Sequence, residues 1–202
     1  VATTPANEDD GVAEYAGDRG ATVFRGDELD VLNRYGDCAR EMNADAVVRI
    51  TADCPLIDPE LSGRVVLRYL EGDIDYASNY KPPTFPDGLD TEVFSFAAID
   101  EAQRSADRPS EREHVTPYIW QHPENFRLAN ITQEVDHSGL CWTLDSPQDL
   151  EMMQALLDAG ADPNARLEPD LWYSEYQGGR LGVAQWGATP FWRAAYGLDV
   201  PA

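Results

Sequence analysis

Apolar residues recur at every third or fourth position along much of the chain, and this spacing predicts amphipathic helices. The clearest stretch runs from Val31 to Met42, where the apolar side chains fall on one helical face. Pro59 opens a second predicted helix that ends near Leu70, because proline is well tolerated in the first helical turn. Ser146, as N-cap, and Pro147 predict a third helix that ends near Gly160. Further helices are expected from Glu8 to Gly17 with Asn7 as cap, from Ala97 to Ser105, and from Ser110 as cap with Glu113 at the capping-box position.

Short apolar runs between turn residues predict strands, and their composition is typical of an α/β protein. The predicted strands are Val1–Thr4, Ala21–Phe24, Ala46–Ile50, Ile74–Ser78, Thr91–Ser95, Phe126–Ile131 and Leu140–Leu144. We expect Ala46–Ile50 to be buried. Strand and helix alternate over residues 1–160, which indicates one α/β domain around a mostly parallel sheet. After Gly160 the periodicity weakens, and Trp172, Trp186 and Trp192 suggest that residues 161–202 form a packing arm or an interface segment.

The charge of the chain excludes several classes of partner. Lys and Arg number 15 against 37 Asp and Glu, which gives a net charge of −22, and Lys81 is the only lysine. Nucleic acids and anionic membranes are bound by clustered basic residues, so neither is an expected partner. Acidic residues spread along a normal core favour a halophilic protein of a salt-rich cytoplasm, and an acidic mesophilic protein is the alternative.

Other features of the sequence agree with a cytoplasmic protein. No apolar run approaches the roughly 18 residues that a membrane-spanning helix needs. The first residues do not have the basic and apolar regions of a signal peptide. The three cysteines match no zinc-binding spacing, and we expect them to be reduced thiols.

Two aspartates stand where predicted strands end. Asp53 comes after Ala46–Ile50 in a loop before the helix of Pro59, and Asp145 comes after Leu140–Leu144 directly before Ser146. In open α/β sheets, ligands bind beyond the carboxyl ends of the strands, where Asp side chains can ligate Mg²⁺. The alternative is that each aspartate only caps its loop or helix.

Several segments, in this order, resemble the cytidylyltransferases of spore-coat polysaccharide biosynthesis, which are relatives of the acylneuraminate cytidylyltransferases. The segments are Val23-Phe24-Arg25-Gly26, Asp30–Tyr35, Val48–Pro59, Pro86–Phe94, Ser110–Tyr118 and Trp142–Asp145. The resemblance covers about residues 1–158. It implies a Rossmann-like nucleotidyltransferase fold, a homodimer, and transfer of CMP from CTP to a sugar acid or related sugar with release of pyrophosphate.

The resemblance also implies roles for individual residues. Asp53 and Asp145 would hold Mg²⁺ as the catalytic ligands. Arg25 would contact phosphate or base, or be an ordinary surface arginine. Arg112 would clamp a sugar carboxylate or pair on the surface, and His114 would contact the sugar, act as a base, or be a satisfied helix residue. The acceptor-binding loop would contain Asp87, Asp90 and Glu92, unless these acidic residues are simply solvated.

The sequence also departs from the family pattern. The family opens with a strand and a Gly/Arg/Lys loop around the triphosphate, whereas Val1 aligns after that unit, and the 202 residues contain no P-loop and no G-x-G-x-x-G. We therefore expect an N-terminally truncated fold with weak or absent catalysis. Asp73-Ile74-Asp75 permits a second hypothesis, a metal-dependent glycosyltransferase, although this motif precedes its strand and is expected to cap a turn. A third is a non-catalytic interaction module that binds through its Trp-rich tail.

Overall fold

The computed structural model describes residues 1–160, and the predicted arm of residues 161–202 lies outside the described residues. The described strands are β1 (Ala2–Thr3), β2 (Phe24–Arg25), β3 (Ala46–Arg49), β4 (Tyr76–Ser78), β5 (Glu92–Ser95) and β6 (Leu128–Asn130). The described helices are α1 (Asp10–Asp18), α2 (Val31–Glu41), α3 (Pro59–Leu70), α4 (Phe96–Ser105), α5 (Pro109–His114), α6 (Pro117–Gln121) and α7 (Pro147–Asp158). The predicted α/β class is therefore confirmed.

The strands form two sheets in which parallel strands dominate. Strands β1 and β2 pair in parallel, and the other four lie in the order β3-β5-β4-β6. Strand β5 runs opposite to its neighbours, because the Ser95 N–H donates to the Asp75 carbonyl while the Thr91 N–H meets the Asn79 side chain. The residues after β3, β4 and β6 thus lie at the same edge of the sheet as the start of β5.

Helix boundaries agree closely with the capping residues. The Asp30 carboxylate accepts the Asn33 N–H at 3.0 Å, so α2 starts where the sequence predicts, and α3 has the predicted limits. Ser146 caps α7 as expected by accepting the Asp149 N–H. The prediction of Ser110 as a cap was wrong: α5 begins at Pro109, Arg108 takes the N-cap position two residues earlier, and the capping-box residue is Glu111 instead of Glu113.

Other predictions also need correction. Asn7 does not cap α1; it starts a short 3₁₀ turn that precedes that helix. Strand β3 was expected to be buried, but its residues are half-buried or exposed because it lies at one end of the four-stranded sheet. Residues 140–144 are not a strand: within the described chain they contribute one isolated bridge, from Cys141 to Asp87.

The chain divides into two compact units. The first consists of Val1–Val48, Arg68–Ala77 and Val93–Ala129, and the second of Arg49–Leu67, Ser78–Glu92 and the chain from Asn130 on. The core of the first unit includes Leu32, Tyr76, Phe94, Ile99, Val115 and Ile119. The second has a smaller cluster of Leu61, Phe85 and Leu89, with Ile131 and Trp142 packed against it. No helix in residues 1–160 is long and apolar enough to cross a membrane.

Candidate functional site

Asp53 and Asp145, which the sequence predicts at strand ends, lie on neighbouring loops of the second unit. The Leu144 N–H donates to the Asp53 carbonyl oxygen at 2.8 Å, so the residue before Asp145 is hydrogen bonded directly to Asp53. This bond joins two loops that are far apart in the sequence. The Asp53 and Asp145 segments are therefore joined in the main chain, and the sharing of Mg²⁺ by their carboxylates stays a prediction.

The carboxylate of Asp145 takes no part in capping α7. It accepts a hydrogen bond from the Thr143 hydroxyl at 2.6 Å, whereas the cap is provided by Ser146. The Asp145 N–H donates to the Asp149 carboxylate at 3.0 Å, which fixes the main chain ahead of the helix. Asp145 is exposed, and its second carboxylate oxygen has no hydrogen bond within the described residues.

The carboxylate of Asp53 is lightly engaged. Its contact within the described chain is a long one, 3.6 Å from the Cys54 sulfur. Burial raises the pKa of the Cys54 thiol to about 12, so this thiol stays protonated at neutral pH. A protonated, buried thiol is a poor nucleophile. Asp53, and not Cys54, is therefore the candidate functional residue of this loop.

The oxygen ligands that Asp53 and Asp145 offer suit Mg²⁺, which needs few protein ligands. They do not suit a metal ion that is coordinated entirely by protein side chains. Two carboxylates on adjacent loops are hard oxygen donors, and no group of three or more His, Cys, Asp or Glu in residues 1–160 is arranged to hold a metal ion. Mg²⁺ usually binds one or two carboxylates and completes its shell with waters and substrate phosphates. Asp53 and Asp145 fit this pattern.

A buried asparagine fixes the loop that carries the predicted acceptor residues. The Asn79 side chain donates to the Leu89 carbonyl at 2.8 Å and accepts the Thr91 N–H at 2.7 Å. Asn79 and Thr91 are fully buried. These two bonds hold the main chain on both sides of Asp90. The sequence analysis missed Asn79, although its place directly after a predicted strand was a usable signal.

Three acidic residues of this loop differ in environment. Burial, together with the negative charges of Asp87 and Glu92, raises the pKa of Asp90 to about 7, and Lys81 and Arg49 oppose that rise. Glu92 is buried and forms an ion pair with Arg49 at the end of β3. Asp87 is exposed. The structure therefore gathers the predicted acceptor residues and adds Arg49, which the sequence analysis did not select.

Main-chain bonds join this loop to the segment that precedes Asp145. The Asp87 N–H donates to the Leu140 carbonyl at 3.0 Å, and the Trp142 N–H donates to the Asp87 carbonyl at 2.8 Å. The next residue, Gly88, has a φ of +98°, and a Cβ there would lie 2.7 Å from the Trp142 carbonyl carbon. Only glycine permits such a close approach of two main chains.

Two of the remaining predicted residues, Arg25 and Arg112, have structural partners in the first unit. The Arg25 guanidinium donates to the Thr4 carbonyl at 3.2 Å and pairs with Asp10 at 2.7 Å. Arg112 donates through Nε and Nη2 to the Asp30 carboxylate, at 3.1 and 2.5 Å. A ligand would have to replace these bonds, and the predicted contacts of both arginines with substrate stay predictions.

His114 is the last residue of α5 and is exposed. Its carbonyl accepts the Thr116 N–H at 2.9 Å, which makes a tight turn between α5 and α6. His114 is therefore accessible and does not have the surroundings of a buried, satisfied helix histidine. Its predicted contact with a sugar stays a prediction.

The D-x-D motif is neutralised by an arginine. Arg127 donates to Asp73 at 2.7 Å and to Asp75 at 2.9 Å, and its hydrogen bonds hold the pKa of Asp75 below the ordinary value. The motif precedes β4, and Asp73 has a φ of +56°. These contacts agree with the expectation that the motif stabilises a turn.

Comparisons with known proteins agree on one relationship. Residues 1–156 match the protein family described as Cytidylyltransferase. An uncharacterised protein of Methanocaldococcus jannaschii is 36% identical over 154 residues, which cover 75% of this chain and 62% of that protein. The spore coat polysaccharide biosynthesis protein SpsF of Bacillus subtilis is 29% identical over 168 residues, which cover 81% of this chain and 69% of SpsF.

A solved structure shows the same fold. The structure of a cytidylyltransferase from Leptospira borgpetersenii matches with a TM-score of 0.75 and 33% identity, over 79% of this chain and 68% of that one. The chain spans less than two thirds of the length of its archaeal relative.

Proposed function

This chain belongs to the cytidylyltransferase family, and we propose that it transfers CMP from CTP to a sugar acid or related sugar, with release of pyrophosphate, in the synthesis of polysaccharide or glycan precursors. The observation that carries the proposal is the hydrogen bond from the Leu144 N–H to the Asp53 carbonyl at 2.8 Å. It joins the loops of two lightly engaged carboxylates beyond the carboxyl end of β3, and α/β enzymes bind ligands at such ends.

The chain contributes mainly positioning and electrostatics to this reaction. Asp53 and Asp145 would hold Mg²⁺, which when bound neutralises charge on the α-phosphate. Asp87, Asp90 and Glu92 would face the sugar, and the pKa of Asp90, about 7, lets its carboxyl both donate and accept hydrogen bonds near neutral pH. Phosphoryl and nucleotidyl transfer require little covalent chemistry from the protein, so positioning and charge would be the main contribution of these residues.

Pyrophosphate release from CTP, measured with Mg²⁺ and a panel of sugar acceptors in molar KCl on a chain that also carries the opening strand and loop of the family, tests the proposal. We expect Asp53→Asn and Asp145→Asn each to lower the rate by about 100-fold or more, because changes to residues that only orient metal ligands already cost about 10- to 100-fold. Asp136→Asn is the matched control: Asp136 is exposed, and within residues 1–160 its carboxylate accepts hydrogen bonds from Ser138 of its own turn. An unchanged rate in both site variants would reject Mg²⁺ binding at these residues.

The same assay separates the other two hypotheses. Turnover of a UDP-sugar without use of CTP would favour a glycosyltransferase. Binding of another protein by a chain that binds no nucleotide would favour an interaction module. The ion pairs of Arg127 with Asp73 and Asp75 count against a glycosyltransferase that holds its metal through these two residues.

We also propose that the protein works as a homodimer in a salt-rich cytoplasm. The net charge of −22 with a single lysine supports salt adaptation, because dissolved salt screens the repulsion between surface carboxylates. The urea unfolding midpoint should rise steeply as KCl is raised from dilute buffer to molar concentration, and equal stability in salt-free buffer would contradict the proposal. Light scattering during size-exclusion chromatography measures the oligomeric state.

A further inference from the structure

Helix α7 has an apolar stripe that is wider than its contact with the rest of the second unit. Leu150, Leu156 and Leu157 are 59%, 43% and 37% exposed, whereas Met153, which lies between them on the helix surface, is buried. Residues three and four positions apart are neighbours on a helix, so these four side chains share one face. A surface helix normally buries such a face against the core. Both borders of the stripe on α7 are instead left uncovered by residues 1–160.

Exposed apolar side chains also occur in the segment that leads into α7. Leu140 and Leu144 are exposed, and so is Val135. Half of the large apolar residues that are exposed in residues 1–160 lie between Val135 and Leu157. An exposed leucine by itself is ordinary on a protein surface, whereas a concentration of such residues marks a contact surface. The part of the second unit that contains α7 therefore has the character of a contact surface.

The same part of the chain is acidic. Between residues 128 and 160 there are six acidic residues, among them Glu151 and Asp158 of α7, and no lysine or arginine. The carbonyl end of a helix favours a basic residue, yet the last turn of α7 has none. A segment that covers α7 should therefore contribute both apolar side chains and positive charge. A second copy of the chain would bring the same acidic residues together, because a two-fold contact pairs a surface with itself.

Residues 161–202 of the same chain have the composition that such a segment needs. They contain seven of the 20 aromatic residues, among them Trp172, Trp186 and Trp192. They also contain three arginines and only five acidic residues, whereas residues 1–160 contain 12 basic and 32 acidic ones. Few charges and many aromatic rings are typical of a surface that is buried against another. The sequence of this segment therefore suits the apolar stripe and its acidic surroundings.

The chain also leaves α7 in a way that permits this contact. Gly160 has a φ of +93°, and its N–H donates to the Leu157 carbonyl at 2.9 Å. A glycine in the left-handed conformation directly after a helix ends the helix and turns the chain away from its axis. The twelve residues of α7 span about 18 Å, a distance that about six extended residues cover. The 42 residues after Gly160 are therefore long enough to return along the helix.

We propose that residues 161–202 pack along α7, with aromatic side chains on the exposed leucines and an arginine beside the acidic residues of the helix. The contact would also hold the loop of Asp145 in place, because the Asp145 N–H donates to Asp149 in the first turn of α7 at 3.0 Å. It is an interaction within the chain, and it does not depend on the proposed reaction or on CTP.

Limited digestion with trypsin in molar KCl tests this contact on the full chain, because trypsin can cleave after Arg180 and Arg193. Mass spectrometry gives the cleavage rate at each site. We expect both rates to be about tenfold lower or more in the protein than in a peptide of residues 161–202, because cleavage follows the population of the open form. The variant Leu150→Glu/Leu157→Glu places two negative charges in the stripe and should raise the rates in the protein about fivefold or more.

Two further variants serve as controls. Leu67→Glu/Leu70→Glu on α3 is the matched one, since these leucines are similarly exposed, and it should leave both rates unchanged. Leu150→Ala/Leu157→Ala preserves the helix, because alanine favours it, and should raise the rates by a smaller factor of about two to three. Equal rates in protein and peptide, or unchanged rates in both α7 variants, would overturn the proposal.

Light scattering during size-exclusion chromatography separates the possible occupants of the stripe. If Leu150→Glu/Leu157→Glu turns a dimer into a monomer while Arg180 and Arg193 stay protected, a second copy covers α7 and the proposal is wrong. Circular dichroism spectra equal to that of the unmodified protein show that each variant is folded. Faster cleavage in a folded α7 variant, with the α3 variant unchanged, is the result that supports the contact.

Discussion

Replacing Gly88 by alanine should disturb the contact between the acceptor loop and the segment that leads to Asp145. Gly88 has a φ of +98°, and an added Cβ would lie 2.7 Å from the carbonyl carbon of Trp142 and 2.8 Å from its oxygen. It would also lie 3.0 Å from the Thr143 nitrogen. All three are main-chain atoms, so no side-chain rotation can relieve the clash.

The size of the effect is the sum of two separate costs. A residue with a Cβ in the left-handed region costs about 1–2 kcal/mol, and forcing a methyl group into a filled space costs about 1–3 kcal/mol. Gly88→Ala should therefore lower the free energy of unfolding by about 2–5 kcal/mol. Since domains are stable by about 5–15 kcal/mol, most of the protein should remain folded.

Urea denaturation monitored by circular dichroism and tryptophan fluorescence measures this loss. With a slope of about 2 kcal/mol per M, the midpoint should fall by about 1–2.5 M. Two controls separate the costs. Gly72 has a φ of +96° and open space around it, so Gly72→Ala should show only the conformational cost. Gly139 has open space and no positive φ of this kind, so Gly139→Ala should show neither cost. If Gly88→Ala is no worse than Gly72→Ala, the close approach to Trp142 does not stabilise the loop.

Three more predictions concern single side chains. Because the pKa of Asp90 is raised from 3.8 to about 7, the folded state binds this proton more tightly, so stability should fall as the pH rises from about 4 to 7. Asp90→Asn should flatten that part of a urea-midpoint profile, and an unchanged slope would contradict the assignment. Arg112→Gln removes the bonds to Asp30 and should lower the free energy of unfolding by about 1–3 kcal/mol. A rise in the KM for the acceptor would support the predicted carboxylate clamp, and an unchanged KM would contradict it. Ser146→Ala removes the cap of α7 and should cost about 1 kcal/mol in thermal unfolding, whereas exposed Ser105→Ala should cost less than about 0.5 kcal/mol.

Local signals in the sequence were enough to place three of the helices, α2, α3 and α7, whereas the caps predicted at Asn7 and Ser110 were wrong and α6 was not predicted. The side chains of Asp30 and Ser146 accept a free N–H group of the first helical turn, and Pro59 has no N–H group to leave unpaired. The helices that these residues open have nearly the predicted limits. The first strand-end signal, Asp53, was also readable, because it depends only on an acidic residue standing shortly after an apolar run. Features that depend on sequence neighbours alone were therefore predictable.

Features that depend on distant residues were not. Leu140 and Leu144 have the composition of a strand, but they are 48% and 38% exposed, and the segment hydrogen bonds to two different loops. Arg112 finds its partner 82 residues away, at Asp30. Burial of Asp90 likewise depends on the hydrogen bond from the Thr91 N–H to the Asn79 side chain. A local pattern carries no information about which of the many carboxylates in this chain an arginine will meet.

The hydrogen bonds of the Asn79 side chain also determine which positions of the neighbouring loop can change in sequence. Its two hydrogen bonds, to Leu89 and Thr91, close the intervening loop at its base, so the ends of the loop are fixed whatever lies between them. Doubling the length of a closed loop costs only about 0.6 kcal/mol. Phe85 packs in the small core of the second unit and Thr84 accepts a hydrogen bond from the Gln133 N–H, so only the exposed tip at residues 81–83 is open to exchange. Changes at this tip leave the base of the loop, and with it Asp90, in place.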